Sequence, residues 1–368
     1  MKRPKLNITN TLFLTLTPII SVLGLYFYFS HEVFEWRYVF LFFIFYVATG
    51  ISITAGYHRL IAHRAYQANP LLKLFYLLFG AAAFQNSALK WAQDHRIHHN
   101  KVDTDLDPYN AGRGFWFSHI GWIFFQEDTE MTFDKDLQKD KLIQWQHRNY
   151  LFIAVFIGIF MPTLLGWLMG SLVGGFVFGA ALRIVFTHHC TFFINSLAHI
   201  WGKQTYTDEN SARDNTILAI LTYGEGYHNF HHKFQGDYRN GLKWYHFDPT
   251  KWLIQTCSAI GLADKLKRVP EEEIFRAKVR MQKKRLLQKR DWKHEYLEAV
   301  ESLRLRLEET QQKFRALKLE YKNLKLELAS AKHEKVEEMR LRLQVAKAEF
   351  RAAYRHWKLY TRALGNNA

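Results

Sequence analysis

The stretch LFIAVFIGIFMPTLLGWLMGSLVGGFVFGAALRIVF, residues 151–186, determines the fold class that this chain can adopt. It consists of two apolar runs, Leu151–Met169 and Leu172–Phe186, with only a Gly-Ser pair between them. A helix of about 20 apolar residues crosses a bilayer, so the stretch predicts a tight hairpin of two membrane-spanning helices. Arg183 lies late in the second run, where we expect its side chain to extend to the interface or to pair with an acid.

Two uncharged runs nearer the N-terminus complete the predicted set of spans. They are Ile8–Ser30 and Tyr38–Tyr57, and each is long enough to cross a bilayer. The four spans are therefore expected at about residues 8–30, 38–57, 151–169 and 172–190. A fifth run, Leu74–Phe84, is shorter, and we interpret it as interfacial or re-entrant. The alternative, a fifth span, would place His58 and His95 on opposite sides of the membrane.

The basic residues predict which side of the membrane the loops occupy. Lys2, Arg3 and Lys5 precede the first span, so the positive-inside rule predicts a cytoplasmic N-terminus. With four spans, residues 58–150 and 187–368 then also face the cytoplasm. We therefore expect an integral multi-pass protein with both termini in the cytoplasm. A bacterial inner membrane is favoured, or the endoplasmic reticulum if the source is eukaryotic.

The composition excludes several other classes of protein. The 368 residues include two cysteines, Cys190 and Cys257, too few for a disulfide-stapled scaffold, a thiolate zinc cluster or a cysteine-ligated iron–sulfur centre. A hydrophobic fraction of 48% excludes a mainly disordered chain. The net charge of +16 and the mean hydropathy of −0.22 describe the chain as a whole. They combine two unlike parts, a membrane domain, 1–269, and a charged extension, 270–368.

The extension from about Glu271 to Leu364 predicts a long helix, because it is rich in Glu, Lys, Arg, Leu and Ala. A heptad spacing of apolar residues starts at Leu303 and resumes one residue out of phase at Met339. The phase change permits a continuous coiled coil with a discontinuity, or an antiparallel helical hairpin.

We interpret this tail as an oligomerisation or partner-docking segment. A solvated helix packed on its own membrane domain is the simpler alternative. No recognised nucleic-acid-binding fold accompanies the charge, so we expect no nucleic-acid partner. A basic cluster that suits anionic lipid head groups comprises Lys283, Lys284, Arg285, Lys289 and Arg290.

The 18 histidines concentrate in motifs that suit metal binding. HRLIAH runs from His58 to His63, HRIHH covers His95–His99, and HNFHH covers His228–His232. Residues i, i+3 and i+4 share one face of an α-helix, so each triplet aims three imidazoles at one point. His58 and His63 are five residues apart, so we expect that pair at a helix end or a distorted turn.

The segment NSLAH adds Asn195 and His199, which also share a helical face. Neutral imidazole suits iron, copper and zinc, and nine imidazoles exceed one coordination sphere, so we predict two metal ions. The candidate ligands are His58, His63, His95, His98, His99, His199, His228, His231, His232 and Asn195. We interpret His31, His119, His147, His246, His294, His333 and His356 as interfacial or surface groups. His188 and His189 are weaker candidates for supporting the ligands or handling protons.

Nearby acids are candidates for the second hydrogen bond that a metal-bound histidine usually makes. Asp94, Glu225 and Asp214 are the expected partners. The acids of the DTDLD segment lack the rest of a calcium-binding loop, so we interpret them as a polar loop.

These motifs stand in longer stretches that resemble the membrane-bound fatty acyl desaturases, specifically the acyl-CoA delta-9 (stearoyl-CoA type) group. The matching stretches are GYHRLIAHRAY, WAQDHRIHHNKVDTDLDPYNAGRGFWFSHIGW, NSLAHIWG and GEGYHNFHHKFQGDYRNGLKWYHFDPTKWLI. The resemblance covers about residues 10–265 and not the tail. The expected fold is all-α and polytopic, with four transmembrane helices, a cytoplasmic helical cap that holds a di-metal site, and a coiled-coil or long-helix tail.

The resemblance also implies roles for single residues. The nine histidines would hold two iron ions, and Asn195 would hold a water on one of them. The acyl tunnel would bend beside the metals at Gln85, Trp91 and Thr191. Asn86 and Asp94 would contact the head group of CoA. Gln93 stands where the animal enzymes carry an arginine that contacts CoA, so acyl-CoA is the favoured substrate and an acyl chain on membrane lipid is the alternative.

The implied activity is the insertion of a cis double bond, at delta-9, with dioxygen as co-substrate. The haem-binding cytochrome domain that some fungal relatives carry is not in this sequence, so the expected electron donor is a separate ferredoxin-like or cytochrome protein with its reductase. A histidine-rich membrane hydroxylase is the enzymatic alternative. A metal-binding membrane scaffold is the non-enzymatic one.

Overall fold

The computed structural model describes residues 5–125, 133–288, 292–327 and 333–366, and this part of the chain is predominantly α-helical. It divides into two compact units. The larger unit comprises Met1–Gln204 and Asp208–Arg268, and the smaller comprises Thr205–Thr207 and Val269–Ala368. The apolar runs lie in the larger unit and the charged tail in the smaller.

Helices build the larger unit. They are α1 (Ile8–His31), α2 (Trp36–Ile51), α3 (Pro70–Ala81), α4 (Ala88–Lys101), α5 (Phe115–His119), α6 (Lys135–Lys139), α7 (Lys141–Arg148), α8 (Tyr150–Val155), α9 (Met161–Leu168), α10 (Leu172–Gly174), α11 (Arg183–Asn195), α12 (Leu197–Ile200), α13 (Thr216–Leu221), α14 (His228–Lys233) and α15 (Pro249–Ala259). Wider π-helical turns cover Ser52–Ala62, Phe156–Phe160 and Gly175–Leu182, and 3-10 turns cover Ala111–Arg113 and Gly121–Phe124. Strands β1 (Gln67–Ala68) and β2 (Ala263–Asp264) pair antiparallel, with Gln67 opposite Asp264.

Among the described residues, four helical stretches are long and apolar enough to cross a membrane, which confirms the number predicted from the sequence. They are Ile8–His31, Trp36–Ala62, Tyr150–Leu168 and Leu172–Ile200. The second and fourth continue beyond the predicted ends because the helix extends into turns that carry histidine. The fifth apolar run forms α3, which has 12 residues. At about 18 Å, this helix is too short to cross a hydrocarbon core of about 30 Å.

The hairpin between the third and fourth spans packs through glycine. A Cβ on Gly166 would lie 2.1 Å from the Cα of Gly175, so the two backbones approach as closely as only glycine permits. The hydroxyl of Ser171 accepts the N–H of Gly174 at 2.7 Å and starts the fourth span directly after the turn. The Gly-Ser break therefore forms the predicted tight turn.

Arg183 contacts neither an acid nor the interface, so the expectation for this residue was wrong. Its side chain is fully buried, and no ion pair to it is present within the described residues. The guanidinium donates to the carbonyl oxygens of Ala82 at 2.6 Å and Gly158 at 2.5 Å. The first of these carbonyls follows the end of α3, where it has no helical partner, and the guanidinium satisfies it.

The smaller unit contains α16 (Glu271–Leu287), α17 (His294–Glu327) and α18 (His333–Asn366). The last two helices are antiparallel, because the five residues between Glu327 and His333 cannot span the length of a 34-residue helix, about 50 Å, and the two helices contact each other where the rings of Phe314 and Phe350 stack at 6.1 Å. The three helices share a core of Val279, Leu286, Val300, Leu307, Trp357 and Leu364.

Of the two arrangements that the heptad phase permits, the structure has the helical hairpin. The single long helix expected over this segment is wrong, because the first helix ends at Leu287 and packs back on the other two. An intermolecular coiled coil stays a prediction. Lys289 and Arg290 of the predicted basic cluster lie outside the described residues.

Candidate metal centre

A π-helical turn brings the first histidine pair together. The second span ends in the π-helix Ser52–Ala62, and the N–H of His63 donates to the carbonyl of His58, five residues back, at 3.0 Å. In an α-helix, residues five apart point about 140° away from each other. The wider π turn returns them to one side, and the two ring centroids lie 4.7 Å apart. The distorted turn expected for this pair is therefore a π-helix.

Both triplets lie on helices, HRIHH in the second half of α4 and HNFHH at the start of α14. Asp214, which we expected to support an imidazole, accepts the backbone N–H of Phe230 at 3.0 Å. A carboxylate in the first turn is favourable because the backbone N–H groups there lack helical partners. Asp214 therefore orients the helix that carries the second triplet.

The nine histidines form two groups, and each triplet is divided between them. The five-histidine group is His58, His63, His95, His99 and His231, and the four-histidine group is His98, His199, His228 and His232. Positions i and i+4 lie about 40° apart around a helix, whereas i+3 lies about 60° to the other side. Accordingly, His98 and His231, the i+3 members, each join the group that the other helix dominates. The single point expected for each triplet was wrong.

The nitrogen–nitrogen distances fit imidazoles that share an ion. Nε2 of His63 lies 2.9 Å from Nε2 of His95, and Nε2 of His199 lies 3.1 Å from Nε2 of His228. Ligand nitrogens at about 2.0–2.1 Å from a common ion are separated by about 3 Å. Within each group, one nitrogen per side chain lies within 4.8 Å of all the others. The two groups therefore suit two transition-metal ions.

Burial favours the neutral, metal-binding form of several of these imidazoles. Loss of solvation, reinforced by neighbouring imidazoles, lowers the pKa of His63, His95 and His99 well below the usual value. The pKa is lowered in the same way for His228, His231 and His232. At neutral pH their lone pairs are therefore available to a metal.

Glu225 lies behind an imidazole of the five-histidine group, where we expected a supporting acid. One carboxylate oxygen is 3.0 Å from Nδ1 of His58, and the other is 2.8 Å from the guanidinium of Arg59. Burial alone would raise a carboxyl pKa, but the interactions with His58 and Arg59 outweigh it and lower the pKa of Glu225 to about 2. An ionised carboxylate at Nδ1 directs Nε2 of His58 toward a metal.

Two acids of the DTDLD segment lie behind the four-histidine group. Oδ1 of Asp107 is 2.8 Å from Nδ1 of His98. Asp103 accepts the hydroxyl of Ser211 at 2.6 Å, and that hydroxyl is 2.7 Å from Nδ1 of His199. Burial opposes ionisation, yet the hydrogen bond with His98 lowers the pKa of Asp107. The sequence predicts this segment as a polar loop, and its alternating acids are the one local signal of these contacts.

Asn195 ends α11 and is half-buried. His199 lies in the next short helix, α12, and the helix is interrupted at Ser196 between them. The shared helical face expected for the two residues is therefore not continuous.

Of the predicted channel residues, Trp91 contacts the five-histidine group, and Gln85 and Thr191 bond to each other. Nε2 of Gln85 donates to Oγ1 of Thr191 at 2.9 Å. The ring of Trp91 stacks on His95, with centroids 4.9 Å apart. A small cavity adjoins Thr191 between the second and fourth spans, and Tyr46 and Tyr223 are among the residues that line it.

The residues predicted to meet a head group differ in exposure. Asn86 is exposed at the turn before α4, whereas Asp94 is buried and pairs with Lys90 at 3.1 Å. Gln93 is buried as well, and its side-chain oxygen accepts the N–H of Asp134 at 2.9 Å. The residue that departs from the animal enzymes therefore faces the protein interior.

Two histidines outside the predicted ligand set are buried in the larger unit. His119, interpreted as a surface or interfacial group, lies 3.0 Å from His189 and 3.0 Å from the hydroxyl of Ser196. The surrounding aromatic run FWFSH was the signal for its burial. Nε2 of His188 donates to the carbonyl of Ala83 at 2.8 Å.

Comparison with known proteins agrees with this geometry. Residues 35–263 match the family model for fatty acid desaturases. A probable acyl-CoA desaturase of Schizosaccharomyces pombe is 44% identical over 245 residues, which cover 66% of this chain and 51% of that protein. Acyl-CoA desaturase 1 of Saccharomyces cerevisiae is 42% identical over 276 residues, 74% of this chain and 54% of that protein. An sn-1 stearoyl-lipid 9-desaturase of Anabaena variabilis is 36% identical over 269 residues, 72% of this chain and 95% of that protein.

The chain spans about half the length of the two acyl-CoA desaturases. The matched range runs from the start of the second span to the second strand, so it includes both histidine groups and excludes the charged tail. The similarity thus covers the part of the chain that builds the candidate metal centre. The chain belongs to the fatty acid desaturase family.

Proposed function

We propose that this chain is an oxygen-dependent desaturase that inserts a cis double bond, at delta-9, into a saturated fatty acyl chain. One observation carries the proposal: two imidazole groups adjoin each other, and Trp91, a predicted channel residue, stacks on His95 of the five-histidine group. The groups adjoin because the rings of His99 and His232, one from each, stack at 4.3 Å. The names of the relatives, acyl-CoA desaturases and a stearoyl-lipid 9-desaturase, support the same reaction.

The nine histidines are proposed to hold two iron ions, with Asn195 holding a water on one of them. Iron supplies the dioxygen activation that is needed to remove hydrogen from an unactivated methylene. Asp107 bonds to the outer nitrogen of His98 and Glu225 lies 3.0 Å from that of His58, so that the inner nitrogens face the ions. Asp103 does the same for His199 through the hydroxyl of Ser211.

The reaction consumes electrons from outside the chain. Two hydrogens leave the acyl chain and dioxygen becomes two waters, so two further electrons and two protons are taken up. A separate ferredoxin-like or cytochrome protein with its reductase is the proposed donor.

The residues beside the centre are proposed to hold the acyl chain. Trp91, stacked on His95, presents a flat apolar wall, and the Gln85–Thr191 pair marks a bend. The cavity beyond Thr191 then receives the distal methylenes. Acyl-CoA is the favoured substrate, with Asn86 and Asp94 contacting the head group. The acyl-lipid alternative is supported by the name of the Anabaena relative and by the inward-facing Gln93.

The four spans support a proposed placement in the membrane. The metal centre, both termini and the tail are proposed to face the cytoplasm. The reason is that most basic residues lie in these segments and few lie in the short loops that follow the first and third spans. The tail is proposed to dock a partner or a second copy.

The test is expression of the full chain in a desaturase-deficient host, with lipid analysis by mass spectrometry that maps the double bond. We expect a new cis-monoene from the wild-type chain and none from His98→Ala or His231→Ala, although both variants insert in membranes. The control His294→Ala changes a histidine whose side chain is 85% exposed in the tail, and it should keep full activity.

Other results would overturn the proposal. A product with an added oxygen atom and no double bond would identify a hydroxylase. A purified chain that binds iron but makes no product, when given a competent electron donor, would identify a scaffold. Full activity of either purified histidine variant would refute the assignment of the centre.

A further inference from the structure

The turn between α3 and α4 is held in an unusual backbone conformation. Phe84 has φ of 55° and Asn86 has φ of 74°, and neither residue is glycine. Such conformations cost free energy and persist only where surrounding contacts determine them. This turn, residues 82–87, carries Gln85 and leads directly into the helix with the first histidine triplet.

The fourth span contacts the turn at successive points along its length. Arg183 donates to the carbonyl of Ala82 at 2.6 Å, and His188 donates to the carbonyl of Ala83 at 2.8 Å. Further along the same helix, Thr191 receives the side-chain amide of Gln85 at 2.9 Å. The order of contacts follows the order of residues in both segments, so the turn and the helix are held in one register.

The third span is also held in this arrangement, and we call the hydrogen bonds that join the turn to the third and fourth spans the clamp. The guanidinium of Arg183 also donates to the carbonyl of Gly158 at 2.5 Å, and the hydroxyl of Tyr150 accepts the N–H of Asn86 at 3.1 Å. A buried guanidinium is costly when no carboxylate accompanies it. Three carbonyl acceptors offset that cost here, the third being Gly179 at 3.2 Å. A leucine or methionine would fill this space without the cost, so the contacts to the turn are the feature that the arginine adds.

We propose that Arg183 and His188 are positioning residues that determine which carbon–carbon bond of the acyl chain is oxidised. The inference rests on the proposed desaturase function. The clamp fixes the position of the Gln85–Thr191 pair relative to His95, because Gln85 lies in the turn and the helix that carries His95 begins directly after it. A small change in the register between the turn and the fourth span shifts the acyl chain along the metal-binding groups. Such a shift, by a fraction of the spacing between carbons, changes which carbons lie closest to the metal-binding groups.

The test compares variants that keep or remove the hydrogen-bond donor. His188→Gln retains an amide donor, whereas His188→Leu removes it, and Arg183→Lys retains the charge but loses the fork that spans two carbonyls. Each full chain is expressed in the desaturase-deficient host, and double-bond positions and iron per purified chain are measured.

We expect the wild-type chain and His188→Gln to give one dominant position. In His188→Leu and Arg183→Lys, the fraction of neighbouring positional isomers should rise about tenfold while bound iron is unchanged, since small displacements of a substrate change relative rates by such factors. Tyr150→Phe removes only the contact to Asn86, and it should give a smaller change in the same direction. This mild substitution also keeps the inference testable if the buried variants accumulate poorly.

The matched control is His189→Leu. This imidazole lies on the same helix but bonds to His119 rather than to the turn, so positional fidelity should not change. The inference is overturned if His188→Leu and Tyr150→Phe lose activity without any change of position, or if His189→Leu spreads the positions equally. Absence of any monoene from the wild-type chain would instead refute the desaturase function itself.

Discussion

Nδ1 of His98 lies 2.8 Å from Oδ1 of Asp107, and both side chains are almost entirely buried. This carboxylate fixes the ring so that Nε2 faces the other three histidines of its group. We expect Asp107→Asn to weaken iron binding by about 10- to 100-fold, the usual effect of removing the acid behind a metal-bound histidine.

Iron titration of the purified metal-free chain measures this effect. Asp105→Asn, two residues away and exposed, is the matched control and should bind iron like the wild type. Equal iron affinity in the Asp107 variant would show that the carboxylate does not support the site.

Arg59 is buried between the carboxylates of Glu225 and Asp248, at 2.8 and 3.1 Å. Removing one partner of a buried ion pair leaves uncompensated charge, which typically costs about 3–5 kcal/mol. We therefore expect Arg59→Met to lower the free energy of unfolding by that amount and to loosen His58, which shares Glu225. Denaturant unfolding in detergent measures the change, and a loss under 1 kcal/mol (about the value of an exposed pair) would contradict the prediction.

The lowered pKa of Asp136 predicts a pH-dependent contribution to the free energy of unfolding. Burial opposes its ionisation, but hydrogen bonds and charge from Arg96, together with Arg64, lower its pKa to about 2 from 3.8. Because the folded pKa is depressed, the stabilisation is complete well above pH 3.8 and is lost as the pH falls toward 2. The pair is partly exposed, so we expect a contribution of about 1 kcal/mol or less.

Unfolding of the metal-free chain at pH 7, 5 and 3 tests this sign. Asp136→Asn should be less stable than the wild type at pH 7 and 5, and the gap should narrow at pH 3. A gap that widened on acidification would refute the assignment. Arg96 also binds the carbonyl oxygens of Ile61 and Ala62 at 2.9 Å, so the same variant should disturb the end of the π-helix.

Trp357 is the largest fully buried side chain of the tail, and its indole N–H donates to Gln282 at 3.0 Å. We expect Trp357→Ala to destabilise the smaller unit by about 3–5 kcal/mol, the typical cost of emptying a large aromatic site. Hydrogen exchange should then rise in α16–α18 and stay unchanged in the spans, because the units are separately compact. Leu359→Ala, at a 60% exposed residue, is the control.

The larger unit was predictable wherever the signal is local in the sequence. The hairpin of 151–186 followed from two apolar runs and a Gly-Ser break, and α3 from a run too short to span. The π-helix at His58 was indicated only by a five-residue spacing that suits no α-helix, because no local sequence pattern specifies how a helix is distorted. The tail was predicted as helical, but its division depended on packing that a heptad pattern permits and does not require.

By itself, the sequence determined that the chain has four apolar runs long enough to span a membrane and which nine histidines are candidate ligands, because hydropathy and spacing are properties of single segments. Only the tertiary structure decided that His98 joins the four-histidine group and His231 the five-histidine group. This depends on how α4 packs against α14, more than 120 residues away. It also decided that Asp107 faces a histidine and that Arg183 holds a turn. Those partners are chosen by three-dimensional proximity, which short-range sequence patterns do not encode.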